Sequence, residues 1–243
     1  MIPWVVSGAN FPPVATAMRR PNGLLAASSP TELTSDRLVQ AYQLGVFPWY
    51  SEGQPALWWS PDPRMVLYPS EFHVSRSLRK QLQVAAQSEE LDVRTDQAFE
   101  SVMNACAEPR EGQEGTWITA DILRAYVGLA IRDMAHSIEL WRGDRLIGGL
   151  YGVCLGRMFF GESMFSREPG ASKIALATLV RLLRREDVTM IDCQQNTAHL
   201  ASLGAREIPR ERFAADVADA VRRTPIDWSA YRGMRLNCLL PDS

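Results

Sequence analysis

An apolar pattern over positions 145–205 organises the chain. The run Leu146-Ile147-Gly148-Gly149-Leu150-Tyr151-Gly152-Val153-Cys154-Leu155 predicts a strand, and its glycines predict a backbone lying close to a neighbour. Gly156-Arg157 makes a turn into a second strand, Met158-Phe159-Phe160-Gly161-Glu162-Ser163-Met164-Phe165. One carboxylate, Glu162, sits among its apolar residues, where a charge is costly without a partner. A loop over 166–170 precedes a helix over 171–185, whose apolar positions are Leu176, Leu179, Val180 and Leu183. Val188-Thr189-Met190-Ile191 reads as a returning strand that delivers Asp192, Cys193 and Gln194 at its end. Hairpin, helix and strand form half of an α/β sandwich. They place Glu162, Asp192 and Gln194 at the edge of a hydrophobic sheet, where ligands of α/β folds usually bind.

The rest of the chain is less regular. Residues up to Pro30 read as irregular, and Ser35 is placed to cap a helix through Leu38, Ala41 and Tyr42 that ends at Gly45. Aromatics then crowd two segments, Phe47-Pro48-Trp49-Tyr50 and Leu57-Trp58-Trp59-Ser60-Pro61-Asp62-Pro63-Arg64. Trp58 and Trp59 suit the core of a small unit, whereas Trp49 follows a proline in a loop, a position that exposes a flat ring for stacking. Pro61 and Pro63 mark a boundary, so a small N-terminal domain over 1–63 and a larger domain over 64–243 are expected. Met65 to Tyr68 form a short strand. Ser75 caps a helix with Leu78 and Leu82 on one side and the stripe Arg76, Arg79 and Lys80 on the other, which is either a solvated face or a phosphate contact. Asp96 is expected to cap the helix of Phe99, Val102, Met103 and Cys106, and a polar loop over 108–115 follows. Thr119 caps the helix of Ile122, Leu123, Tyr126 and Val127, and 137–141 alternates as a strand beside a structural His136. Beyond Gln194, a short helix ends at Gly204 and an amphipathic one covers 210–221, while Trp228 and Tyr231 fold back onto the body.

With 46% hydrophobic residues in 243, the chain can bury a full core, and a net charge of −2 excludes a globally basic nucleic-acid binder without excluding a local patch. Cys106, Cys154, Cys193 and Cys238 form no metal-type pair and read as thiols of a reducing compartment. No signal peptide or membrane-length apolar run is present, so a cytoplasmic protein is expected. The sequence lacks the phosphate-loop and dinucleotide fingerprints, and its three histidines are placed wrongly for a metal site. The element order resembles acetyl-CoA-dependent N-acetyltransferases. In those a glycine-rich loop cradles the pyrophosphate, but here that loop carries Glu168 and Pro169. Acyl transfer to an amine from a donor other than coenzyme A fits this pattern.

Taken together, these blocks resemble the leucyl/phenylalanyl-tRNA–protein transferases. The matching segments include Gly45-Val46-Phe47-Pro48-Trp49-Tyr50, Leu57-Trp58-Trp59-Ser60-Pro61-Asp62-Pro63-Arg64, His73-Val74-Ser75-Arg76-Ser77 and Gly115-Thr116-Trp117-Ile118-Thr119. Ala135-His136-Ser137-Ile138-Glu139, Gly161-Glu162-Ser163-Met164-Phe165-Ser166, Ala171-Ser172-Lys173 and Ile191-Asp192-Cys193-Gln194 continue the match in the same order. One departure is Ala26-Ala27-Ser28-Ser29-Pro30, where the family has Gly-Gly-Asp. The resemblance implies an α/β (α+β) fold, with a small N-terminal domain joined to an acetyltransferase-like (GNAT-like) domain. It implies transfer of leucine or phenylalanine, and less readily methionine, from aminoacyl-tRNA to an N-terminal arginine or lysine of a protein. That reaction marks the protein for degradation by the N-end rule and uses no metal or organic cofactor; the enzyme is expected to act as a monomer without a membrane partner. Trp49 and Trp117 match the platform for the terminal adenosine, and Leu150, Phe159, Met164 and Ile191 match or adjoin the aminoacyl pocket. Asp192 and Gln194 match a catalytic relay in which Gln194 draws on the amine and Asp192 polarises it. Glu162 is either a contact for the cationic acceptor or a paired acid holding the hairpin, and the stripe of Arg76, Arg79 and Lys80 would meet tRNA phosphates. A GNAT-type N-acyltransferase with another donor and a non-catalytic tRNA-binding protein are the competing classes.

Overall fold

The computed structural model describes residues 2–109 and 115–233, so most of the expected loop over 108–115, and Cys238, lie outside the described residues. Two sheets organise the rest. The smaller joins β1 (Leu24–Ser28), β2 (Phe47–Pro48) and β3 (Ala56–Trp59) in the order β1-β3-β2. The larger uses β4 (Arg64–Leu67), β5 (Leu91–Thr95), β6 (Ala135–Arg142), β7 (Arg145–Leu155), β8 (Met158–Ser166), β9 (Ile191–Gln194) and β10 (Arg206–Ile208). Its order is β10-β4-β9-β8-β7-β6-β5, antiparallel everywhere except between β8 and β9.

Side-chain alternation along the large sheet feeds two cores. Leu150, Cys154, Phe159 and Ile191 face α2 (Arg76–Gln87) and α5 (Ala171–Arg185). Tyr151, Val153 and Phe160 face the opposite core, which also holds the small sheet, α1 (Ser35–Gln43), α3 (Phe99–Ala107) and α4 (Ala120–Ile131). A short α6 (Ala198–Ser202) and α7 (Arg210–Ala220) complete the chain. The glycines of β7 do lie close to their neighbours. A Cβ on Gly148 would stand 2.4 Å from Ala171 Cβ, and one on Gly152 would stand 2.3 Å from Phe160 O. Only glycine lets α5 dock this closely.

Several local expectations change. Thr34, not Ser35, caps α1 by accepting from Arg37 N–H, while the Ser35 hydroxyl donates to Ala125 O across to α4. Asp96 does not cap α3. Its carboxylate takes Ser137 N–H and His136 Nδ1, and Glu139 receives the N–H groups of Gln97 and Ala98 instead. The strand expected over 188–191 starts later, at Ile191, so Asp192 and Gln194 lie within it. Residues 24–28, expected to be irregular, form β1, and the aromatic segment at Phe47-Pro48 pairs with β3. Trp228 is buried and Tyr231 packs beside it, as expected for the tail.

Candidate functional site

The site forms where β8 and β9 part. Their parallel pairing is confined to Phe159 with Ile191 and Phe160 with Asp192. Two register breaks flank that point. Tyr151 opposes Ser163 and Gly152 opposes Gly161, so Glu162 is the extra residue of a bulge in β8. On the other side Met65 opposes Gln194 and Val66 opposes Asp192, which leaves Cys193 as the extra residue in β9. Gln194 has φ of 60°, a left-handed backbone that a non-glycine residue adopts at a cost. Bulges of this kind re-aim side chains, and here they turn Glu162 and Gln194 toward each other.

The parted strands open a cleft of about 1250 Å³. Its floor includes Leu150, Phe159, Met164, Leu176, Leu179 and Ile191. Trp49 and Trp117 line its mouth, and Glu162, Asp192 and Gln194 line its polar rim. Trp49 is 45% exposed and its backbone is held by Trp59 Nε1–H, while its ring meets that of Trp59 edge-on at 5.9 Å. Arg76, Arg79 and Lys80 are exposed on α2 and do not line the cleft.

A hydrogen-bond network fills the rim. Glu162 Oε1 accepts from Tyr42 OH at 2.6 Å and from Gln194 Nε2 at 3.0 Å, and Oε2 accepts from Tyr126 OH at 3.0 Å. The two tyrosine hydroxyls also touch each other. Burial pushes the Glu162 carboxyl up to about 7 despite these donors, and it pushes the phenols of Tyr42 and Tyr126 well above their usual range. Asp192 is fully buried and sits differently. Arg64 Nε and Nη2 grip its two oxygens at 2.8 and 2.6 Å. Arg64 is itself buried, sandwiched between the rings of Phe47 at 4.7 Å and Phe213 at 4.5 Å. The expected contact between Asp192 and Gln194 runs through the backbone: Gln194 N–H donates to Asp192 Oδ1 at 2.9 Å, which leaves the Gln194 side chain free to reach Glu162.

Sequence reasoning missed Arg64, Tyr42 and Tyr126. The tyrosines were visible only as apolar helix positions, yet a buried phenol needs a hydroxyl partner, and two of them on neighbouring helices signal a shared acceptor. Arg64 opens an apolar strand after a proline-rich segment, where a buried arginine requires an acid such as Asp192.

A sheet parted at two bulges, an apolar chamber and a carboxylate–phenol–amide network meet in one cleft, the candidate active site of an α/β enzyme. A family model described as leucyl/phenylalanyl-tRNA protein transferase matches residues 66–218, and the model of that family's N-terminal domain matches residues 31–62. Among curated relatives, the leucyl/phenylalanyl-tRNA–protein transferase of Burkholderia lata is 56% identical over 94% of this chain and 91% of its own length. That of Burkholderia ambifaria is 57% identical over the same shares, and that of Paraburkholderia phytofirmans is 53% identical over 100% of both chains. This chain belongs to the leucyl/phenylalanyl-tRNA protein transferase family.

Proposed function

We propose that this aminoacyltransferase moves leucine or phenylalanine, and less readily methionine, from aminoacyl-tRNA to the N-terminal arginine or lysine of a protein, in the cytoplasm. The observation that carries the reading is that one cleft contains an apolar chamber, two tryptophans at its mouth and a polar rim. An apolar aminoacyl side chain fits the chamber of Leu150, Phe159, Met164 and Ile191. The terminal adenosine stacks on Trp49 or Trp117, a contact worth about 1–3 kcal/mol per base. The tRNA body, much larger than the cleft, extends past α2, where Arg76, Arg79 and Lys80 meet its phosphates.

The ester arrives activated, so the remaining need is a neutral amine held at its carbonyl carbon. Gln194 spends its N–H on Glu162, which leaves its carbonyl oxygen to accept an N–H of the incoming α-amine. Asp192, locked by Arg64, holds the Gln194 backbone in its left-handed turn and so sets the direction of that side chain. An α-amine with a pKa of about 7.7–8.0 is partly neutral at physiological pH, and alignment of the two substrates supplies much of the rate. Glu52 and Glu162 line the cleft, as do Asp192 and Glu108, which are paired with Arg64 and Arg167, and no lysine or arginine lines it among the described residues. That field favours a cationic first residue in the acceptor.

The test supplies purified protein with leucyl-tRNA and a peptide beginning with arginine, and weighs the peptide afterwards. A gain of one leucine supports the reading. Acetylation from acetyl-CoA, or donor binding without transfer, would replace it with one of the competing classes.

A further inference from the structure

Peptide-bond formation requires the attacking nitrogen to shed a proton. Two carboxylates stand at the rim, and the fold equips them differently. Both oxygens of Asp192 are held by the buried guanidinium of Arg64, and Oδ1 also takes the Gln194 N–H. A proton placed there would break a bidentate pair and strand the Arg64 cation, with no exposed surface to relieve it. Glu162 is half-buried, lines the cleft and is held by neutral donors, namely the Tyr42 and Tyr126 hydroxyls and the Gln194 carboxamide. Hydroxyls can rotate when their acceptor gains a proton, so this cage tolerates both forms of the acid.

We propose that Glu162 is the catalytic residue that takes the proton from the acceptor's α-nitrogen and returns it to the departing ribose oxygen. The inference rests on the transfer reading above. The nitrogen lone pair forms the C–N bond at the ester carbonyl, and the C–O bond breaks with its electron pair going to the ribose oxygen. The proton passes from nitrogen to Glu162 and then to that oxygen, so the carboxylate ends as it began and nothing further is consumed. Gln194, bonded to Glu162, places the amine between the two groups.

The electrostatics suit this role. The groups facing Glu162 are Tyr42 on α1, Tyr126 on α4, Tyr151 on β7, Arg64 on β4 and Asp192 on β9. Burial raises its carboxyl toward neutrality, Asp192 adds to the rise, and Arg64 and the two bonded phenols oppose it. An acid–base group poised near the working pH transfers protons most effectively in both directions.

The experiment is single-turnover transfer from leucyl-adenosine to an arginine-initiated peptide, both saturating, across the neutral pH range. E162Q should lower kcat about 10²–10⁴-fold while the KM of donor and acceptor stays near wild type. Tyr42→Phe removes a donor to the ionised acid, so the acid limb of the wild-type pH profile should move up by about one pH unit. E162Q retaining more than about a tenth of the rate, a loss confined to acceptor KM, or an unmoved limb in Tyr42→Phe overturns the proposal. Wild-type protein that transfers no leucine would overturn the functional reading itself, whereas wild-type transfer alongside a fully active E162Q overturns only this inference.

Discussion

Replacing Arg64 with methionine isolates the ion pair under the site. Arg64 and Asp192 are both fully buried and joined by two short bonds, so the variant leaves an uncompensated carboxylate inside the core. Breaking such a pair from one side costs about 3–5 kcal/mol, a large fraction of the roughly 5–15 kcal/mol that stabilises a typical domain. Methionine fills much of the slot between Phe47 and Phe213, which keeps the cavity contribution small. The double variant Arg64→Met, Asp192→Leu removes both charges, and replacing a buried pair with apolar groups is often close to neutral. It should therefore recover at least half of the lost stability while transfer stays impaired, because Gln194 has lost the acceptor of its backbone N–H. Urea unfolding, followed by fluorescence, measures both variants. A loss below about 1 kcal/mol in Arg64→Met, or a double variant as unstable as the single, would mean that no uncompensated charge is left in the core.

Other consequences follow from the same geometry. Phe159→Ala empties a nearly fully buried position on the floor of the cleft, so it should blur selection among leucyl, methionyl and isoleucyl donors and cost about 3–5 kcal/mol of stability; donor competition and thermal melts check the two effects. Trp49→Ala should weaken leucyl-adenosine and leucyl-tRNA alike, by about 1–3 kcal/mol, and a titration showing equal affinity would return Trp49 to a packing role against Trp59. Charge reversal of Arg76, Arg79 and Lys80 should weaken tRNA binding and flatten its salt dependence, with leucyl-adenosine almost unaffected because the stripe lies outside the cleft. Glu162 also sets a pH signature for stability. Its folded pKa, raised to about 7, exceeds that of the unfolded chain, so the folded state holds a proton that the unfolded state releases, and wild-type stability declines as pH rises from about 4.5 toward 7. Unfolding curves on either side of that window should show Glu162→Gln without the decline.

Much of the large sheet was legible in the sequence because its segments are long and periodic. The β7–β8 hairpin and α5 fall within a residue of their expected bounds, since continuous apolar strands and a 3.6-residue pattern leave few alternatives. β4 also falls within a residue of its expected bounds, but other short strands were not legible. β1, β5 and β10 have five residues or fewer, and tertiary pairing rather than local propensity makes them strands. At the site, the residue types of Glu162, Asp192 and Gln194 could be singled out, but their partners could not. The Arg64–Asp192 pair joins residues 128 apart, and Tyr42 meets Glu162 across 120, contacts that no local pattern encodes. The two bulges were equally hidden, because a bulge depends on the register of the opposing strand.

In the proposed reaction this cleft joins an apolar aminoacyl group from tRNA to a basic N-terminal residue. Matched peptides that differ only in their first residue, incubated with radiolabelled leucyl-tRNA, measure it most directly. The acid-lined cleft predicts label on peptides beginning with arginine or lysine and almost none on those beginning with aspartate or glutamate. Efficient labelling of an N-terminal aspartate would contradict it.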